Sequence, residues 1–250
     1  MTSVDDELFV LLDAFNDREQ VAVYSINDYQ QLRYLTVPQY KPDVCDITSC
    51  VRHKCLYMSD CGNSCIHRYK LASSATSKWS VPGRPEGLSV TPSCNLLVTC
   101  HGEPNKLVEL RADSGQSVRE ITLQSDIVYP HHSEQLTNGQ FVVCHGVRDG
   151  GLNRVCVVGV DGKVRRSYGG RHGSDVGQLI VPCHLAVDKD SQCIFVADRD
   201  NGRVVLLSPT LEFVRYVSQG LPDPGGLYIH QATQRLFVSV WLNGVSVIQL

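Results

Sequence analysis

The chain has 250 residues, 42% of them hydrophobic and 20% charged, with a formal net charge of -3 at pH 7, which is enough apolar material for one large core in a closed all-β architecture. This balance gives no global basic field, so nucleic-acid binding would need a local patch, and DNA is not an expected partner. The longest apolar stretches, such as Val155-Cys156-Val157-Val158, fall far short of the roughly 18 residues that span a bilayer, and the acidic start Met1-Thr2-Ser3-Val4-Asp5-Asp6-Glu7 lacks the basic region of a secretory signal. No membrane partner and a cytoplasmic location are the expectation.

A short apolar strand recurs along the chain as Leu8-Phe9-Val10-Leu11, Leu56-Tyr57-Met58-Ser59, Leu96-Leu97-Val98-Thr99, Gln140-Phe141-Val142-Val143, Ile194-Phe195-Val196-Ala197 and Leu236-Phe237-Val238-Ser239. Aligned on Val10, Met58, Val98, Val142, Val196 and Val238, the spacings are 48, 40, 44, 54 and 42, the period of a propeller blade. Each unit reads as a short apolar strand, a turn, the strand just quoted, a polar loop, a third strand and often a fourth. Thr137-Asn138-Gly139, Asp161-Gly162 and Asp188-Lys189-Asp190-Ser191 supply the reversals between antiparallel strands. No segment reads as a helix. The expected fold is therefore an all-β, six-bladed β-propeller of four-stranded antiparallel blades.

Pro42, Pro85, Pro130, Pro182 and Pro224 stand just before innermost strands, where a missing N–H is tolerated. They divide a single domain, 1–250, into blades of about 7–41, 42–84, 85–129, 130–181, 182–223 and 224–250. The first unit reads without an innermost strand and the last without an outermost one, so about 22 strands are expected and the terminal blades are incomplete. That count suggests a chain cut from a longer protein at the seam.

The stretch Tyr168-Gly169-Gly170, Gly173, Gly177-Gln178-Leu179, Pro182, Leu185-Ala186-Val187-Asp188, Ile194-Phe195-Val196-Ala197-Asp198, Asn201, Arg203-Val204-Val205-Leu206 resembles an NHL repeat, and Asp60, Asn63 and Arg68 echo it in the second unit. The resemblance is to the NHL propellers of TRIM-NHL-type proteins. It implies a non-enzymatic platform for protein partners on the face that gathers the blade-to-blade crossings and the loops between second and third strands, with single-stranded RNA as the alternative partner. On that face the sequence places Arg84, Lys106, Arg148, Asn153, Arg171, His172, Arg199 and Asn201. The arginines and His172 of units four and five would form the basic patch that RNA needs, while Glu103, Asp149, Asp175 and Asp200 dilute it.

Three other constellations bear on chemistry. The five cysteines of unit two, Cys45, Cys50, Cys55, Cys61 and Cys65, match no paired zinc spacing; they read as small buried thiols, with a hairpin disulfide Cys50–Cys55 as the alternative. Cys100-His101 and Cys144-His145 are strand neighbours that point to opposite faces and read as echoes of the repeat. His131 and His184, with His132 and His230, stand at innermost strands that line the channel. The peptide-amidating lyases, which resemble NHL propellers, place zinc ligands directly after the proline. His131 fits that position, whereas Cys183 takes it in the next unit and His184 comes one residue late. A channel-metal lyase or hydrolase using His131 and His184 is thus the enzymatic alternative to the platform, which needs no cofactor.

Overall fold

The computed structural model describes residues 1–11, 21–35, 44–149, 151–240 and 244–250. Blade one comprises β1 (Thr2–Val4), β2 (Glu7–Leu11), β3 (Val21–Ser25) and β4 (Gln31–Leu35); blade two β5 (Val44–Cys50), β6 (Cys55–Asp60), β7 (Cys65–Lys70) and β8 (Thr76–Ser80); blade three β9 (Arg84–Val90), β10 (Leu96–His101), β11 (Lys106–Leu110) and β12 (Ser117–Thr122). Blade four holds β13 (Pro130–Gln135), β14 (Phe141–His145), β15 (Arg154–Val158) and β16 (Val164–Gly169), and a short parallel pair, β17 (Arg171–His172) with β18 (Gln178–Leu179), decorates the crossing that follows. Blade five is β19 (Pro182–Val187), β20 (Ile194–Asp198), β21 (Arg203–Leu207) and β22 (Phe213–Gln219), and blade six is β23 (Leu227–His230), β24 (Arg235–Val240) and β25 (Gly244–Gln249). Among the described residues, five blades have four strands and the sixth has three. Among the described residues the only helical turns are Arg199–Asn201 and Gln231–Thr233, and no helix is long and apolar enough to cross a membrane.

Two sequence expectations change here. Blade one has its innermost strand, because Thr2–Val4 pairs with Val4 opposite Glu7 and Thr2 opposite Phe9; the acidic Asp5-Asp6 turn disguised a hairpin. The repeat alignment also slips by one in blade four. Leu185 faces Val196 and Leu88 faces Val98, while Ser133 faces Val143, so Val143 and not Val142 is the blade-four equivalent. Pro42 lies outside the described residues.

The second strands are continuous apolar runs because a blade packs against neighbours on both faces, so alternation is lost where burial is two-sided. Phe141–His145 and Ile194–Asp198 are buried along their whole length, whereas outermost strands such as Gln31–Leu35 are almost entirely exposed. Between consecutive blades lie separate cores. Ile47, Met58 and Phe9 join blades one and two, Tyr57 and Val98 join two and three, and Phe141 and Leu107 join three and four. Leu185 and Val155 join four and five, and Phe195 and Leu227 join five and six. Leu8, Val10 and Ile26 meet Phe237 between six and one, so the ring closes through side-chain packing although blade six has three strands. The Ser3 and Tyr228 hydroxyls are hydrogen-bonded across the same seam.

The seam makes a measurable demand on Phe237, which is fully buried there. Phe237→Ala is expected to lower the unfolding free energy by about 3–5 kcal/mol, read as an earlier urea midpoint, whereas Val160→Ala at an exposed turn shifts it by less than about 0.5 kcal/mol.

Candidate functional site

Two regions collect the chemistry: the loop face over blades three to five, and the central channel. On the loop face, each residue expected to bind a partner has a definite place. The Arg148 guanidinium donates twice to Asp200, at 2.6 Å to Oδ2 and 3.0 Å to Oδ1, bridging blades four and five, and Arg199 Nε lies 3.6 Å from the same carboxylate. Burial alone would raise the Asp200 carboxyl, but Arg148 outweighs it and holds the group below its ordinary range. Arg84 pairs with Glu86 at 2.8 Å and Lys106 with Glu120 at 2.8 Å. Arg171 and His172 are exposed on β17.

Asn153 and Asn201 serve the scaffold. Asn153 is fully buried; its Nδ2 donates to the Val147 carbonyl at 3.0 Å and its Oδ1 accepts from the Val181 N–H at 2.9 Å. Asn201 donates to the Gly173 carbonyl at 3.0 Å and to Asp198 Oδ2 at 2.8 Å. Asp198 also receives Arg203 Nε at 2.7 Å, so the repeat signature in blade five is a hydrogen-bonded clamp for its own loops. In blade two the same carboxylate position is Asp60, which holds Asn63 and takes His67 Nε2 at 2.9 Å. Arg68 instead donates to the Asp113 carbonyl and to Cys55 Sγ. The ladder explains the difference, since Asp198 faces Arg203 but Asp60 faces Cys65.

The cysteines settle differently from the hairpin expectation. Cys45 and Cys61 form a disulfide with Cα atoms 6.3 Å apart, within the usual range for such a bridge, while Cys50 and Cys55 are buried thiols. Those two face each other in the ladder, but Cys50 Sγ lies 3.2 Å from His53 Nδ1 and Cys55 Sγ donates to the His53 carbonyl, so each has a partner in the turn. Burial pushes the thiols of Cys100 and Cys183 up to about 12, which removes them as nucleophiles near neutral pH.

The channel is set by a repeated irregularity. In blades two to five the register between the first and second strands shifts near the channel mouth: between Val44 and Ile47, opposite Thr99 and Cys100, between Pro130 and His132, and between Pro182 and His184. A β-bulge inserts an unpaired residue and re-aims the next side chain. His131 and Cys183 are therefore the equivalent bulged residues, and His132 and His184 are equivalent one step later. This corrects the channel-metal expectation. His131 turns to the rim, its Nε2 donating to the Gly146 carbonyl at 3.0 Å and its ring lying 5.2 Å from that of Tyr129. His184 does reach the channel, but its companion is His132, with the rings stacked at 3.8 Å.

Asp46 of blade two occupies the same tier, and its carboxylate faces both rings. Asp46 Oδ2 lies 3.6 Å from His132 Nε2 and Oδ1 lies 3.6 Å from His184 Nε2. The equivalent residues of blades three and six are Gly87 and Gly226. At Gly87 a Cβ would fall 2.4 Å from the His131 carbonyl oxygen and 2.9 Å from His132 Cδ2, so the missing side chain is the space that the histidine fills. Burial opposes ionisation of Asp46, but the imidazoles of His184 and His132 hold it well below the usual carboxylate range. Burial pushes His132 down to about 3. This tier is a waist between two vestibules. The one on the loop-face side, about 310 Å3, is lined by Glu86, His131, Cys183, Arg199 and Ser239. The other, about 380 Å3, is lined by Ser3, Ser49, Glu134, Lys189, Tyr228 and His230, and burial pushes its Glu134 carboxyl up to about 8.

No protein-family model matches the sequence, and no curated protein sequence matches it. Solved structures do. A chain in the crystal structure of a nidogen/laminin complex is 18% identical, with 98% of this chain and 89% of that chain covered and a TM-score of 0.73. A protein of unknown function from Bacteroides caccae is 14% identical over 94% of this chain and 82% of that one, with a TM-score of 0.72. The catalytically inactive H270A virginiamycin B lyase from Staphylococcus aureus, solved with quinupristin, is 9% identical over 97% and 87%, with a TM-score of 0.61. The chain is a six-bladed β-propeller. At these identities the likeness is one of fold, and fold alone does not carry function.

The loop-face cluster also contains a pH-sensitive joint. His145 is fully buried; its Nδ1 donates to the Val128 carbonyl at 3.2 Å and its Nε2 accepts from Arg154 Nε at 3.2 Å, an arrangement that requires the neutral ring. Burial, then the Arg154 charge, pushes it from 6.5 down to about 4. A depressed histidine contributes stability that is present above the unfolded value and is lost as pH falls from about 6.5 towards about 4. Urea unfolding across that window is expected to show a loss to which His145 contributes up to about 3 kcal/mol, and His145→Gln makes the loss smaller by removing that titrating group.

Proposed function

We propose that this propeller is a non-enzymatic binding platform of the NHL-repeat type, and that its loop face over blades three to five takes a protein partner. The observation that carries this reading is the cancellation of the basic patch. Arg148 and Arg199 share Asp200, Arg154 is held by Asp126 at 2.9 Å, and Arg203 is buried on Asp198. A groove for single-stranded RNA needs cations free to track phosphates, and these are committed to neighbouring carboxylates.

What remains on that face, beside the exposed Arg171 and His172, is aliphatic. Val128, Val147, Leu152 and Val176 are 38%, 37%, 36% and 59% exposed, and they stand on three loops stapled together. Gly146 N–H donates to the Tyr129 carbonyl, Gly170 N–H to the Asn153 carbonyl, and Val181 N–H to the Asn153 side chain. At Gly146, φ is +146° and a Cβ would fall 2.2 Å from Asn153 Oδ1, so the staple depends on glycine there. A rigid apolar patch framed by internally paired charges suits a protein surface. A propeller in a nidogen/laminin complex is among the similar structures, which supports the same reading; the lyase among them lends this chain no activity at 9% identity.

The test compares surfaces. Chemical cross-linking in a lysate of the source cells is expected to yield a partner that Val147→Glu with Leu152→Glu abolishes and that Val160→Glu, on the turn between β15 and β16 at the opposite face, retains. Loss with Val160→Glu and retention with the pair would overturn the assignment of the face. Anisotropy with short single-stranded RNA is expected to show no salt-dependent binding; tight binding that falls steeply with salt would replace the protein reading with the RNA one.

A further inference from the structure

We propose that Asp46, His132 and His184 bind one divalent transition-metal ion of the zinc class at the waist of the channel. This goes beyond the platform reading and does not depend on it. One donor atom from each of the three residues lies within 4.8 Å of the others. The two Asp46–imidazole separations of 3.6 Å are too long for good hydrogen bonds. They suit donors that share an ion at about 2.0–2.1 Å each. Two imidazoles and a carboxylate favour zinc, cobalt or nickel over the oxygen-seeking calcium and magnesium.

The surroundings hold these donors as ligands are held. Asp46 Oδ1 accepts from the Ile47 N–H at 2.7 Å and Oδ2 from the Leu88 N–H at 2.8 Å, which leaves each oxygen a further lone pair and fixes the plane of the carboxylate. His184 Nδ1 lies 2.8 Å from the Leu185 carbonyl and 3.3 Å from the Leu227 N–H; the shorter contact places the ring proton on Nδ1 and leaves Nε2 as the lone pair facing Asp46, the arrangement common behind metal-ligating histidines. His132 Nε2 faces Asp46 at 3.6 Å and also lies 3.1 Å from the Leu88 carbonyl; with the ring proton on Nε2 that contact is a hydrogen bond, and with it on Nδ1 the Nε2 lone pair is turned to the space shared with Asp46 and His184, so metal binding selects the second tautomer. The three residues come from three blades but one tier, so the site is assembled by the ring itself. Three protein donors leave positions open towards the vestibules for water or for an anionic group of a bound molecule.

Equilibrium dialysis of the whole chain against Zn2+, after removal of bound metal with a chelator, tests this directly. One equivalent per chain is expected, with a raised thermal midpoint. Co2+ in place of Zn2+ should give visible d–d bands without a near-ultraviolet thiolate charge-transfer band, which separates this site from the Asp60–Cys65–His67 group. His132→Gln and His184→Gln, checked for unchanged circular dichroism, should each weaken binding at least about tenfold, while His67→Gln retains the full equivalent. Absence of binding at micromolar Zn2+, a thiolate band in the cobalt spectrum, or loss of the equivalent in His67→Gln would each overturn the proposal, and the spectrum decides even if a channel variant fails to fold.

Discussion

In four consecutive blades the innermost strand carries an extra residue near the channel mouth, and the ladder resumes with the next side chain turned inwards. Strand alternation has a period of two, so one inserted residue reverses the facing of everything after it. That constraint decides what the channel contains. Without it His131 and Cys183 would line the waist; with it His132 and His184 do, and Asp46 joins them from blade two. It also explains why blade three supplies glycine at this tier. Two stacked imidazoles and a carboxylate fill the available width, and any side chain at Gly87 would collide with His132.

The rigidity that such a tier needs comes from the cores between blades. Each second strand is buried on both sides, and each blade is wedged between two neighbours, so the six inner strands cannot move independently. The seam obeys the same rule. Blade six has three strands, yet Phe237 packs against Leu8, Val10 and Ile26 as its counterparts pack elsewhere. Side-chain burial, at roughly 25 cal/mol per Å2 of apolar surface, is thus the force that closes the ring, and the hydrogen bond between Ser3 and Tyr228 fixes its register.

The repeat was legible because the second strands are apolar runs at a nearly regular period, and the prolines at 85, 130 and 182 fall in or at the start of inner strands. The details that escaped were those in which local geometry breaks periodicity. β1 was hidden because Thr2-Ser3-Val4 is short and followed by acidic turn residues. In blade four the three apolar residues Phe141-Val142-Val143 offer two equivalent alignments, and only the pairing of Ser133 with Val143 chooses between them. The bulges have no compositional mark, so counting from the proline selected His131, one residue before the side chain that enters the channel. The bridge between Cys45 and Cys61 was equally hidden. It joins residues brought together by the irregular register ahead of Ile47, whereas Cys50 and Cys55, at ideal hairpin spacing, are matched to His53 in their own turn.

Charge was the least legible property, because the sequence places arginines on a face without saying what they touch. Arg148 and Arg154 each meet a carboxylate from a loop distant in sequence, Arg203 meets Asp198 on the neighbouring strand, and Arg199 meets its sequence neighbour Asp200. The effect is to convert a row of cations into rivets between loops. An exposed ion pair contributes little stability by itself, but pairs that bridge loops limit how far those loops can separate, and they lower the positive potential that a polyanion would find. The face is left as ordered aliphatic ground with most of its cations neutralised, Arg171 and His172 standing exposed beside it. The channel behind it, by contrast, gathers donor atoms at a single tier, where the Asp46 carboxylate and the imidazoles of His132 and His184 converge beside the buried α-amino group of Met1. The two regions differ in what they can hold for one physical reason: on the rim each of these cations arises beside a carboxylate, whereas at the waist ring nitrogens and a carboxylate face one another across the channel.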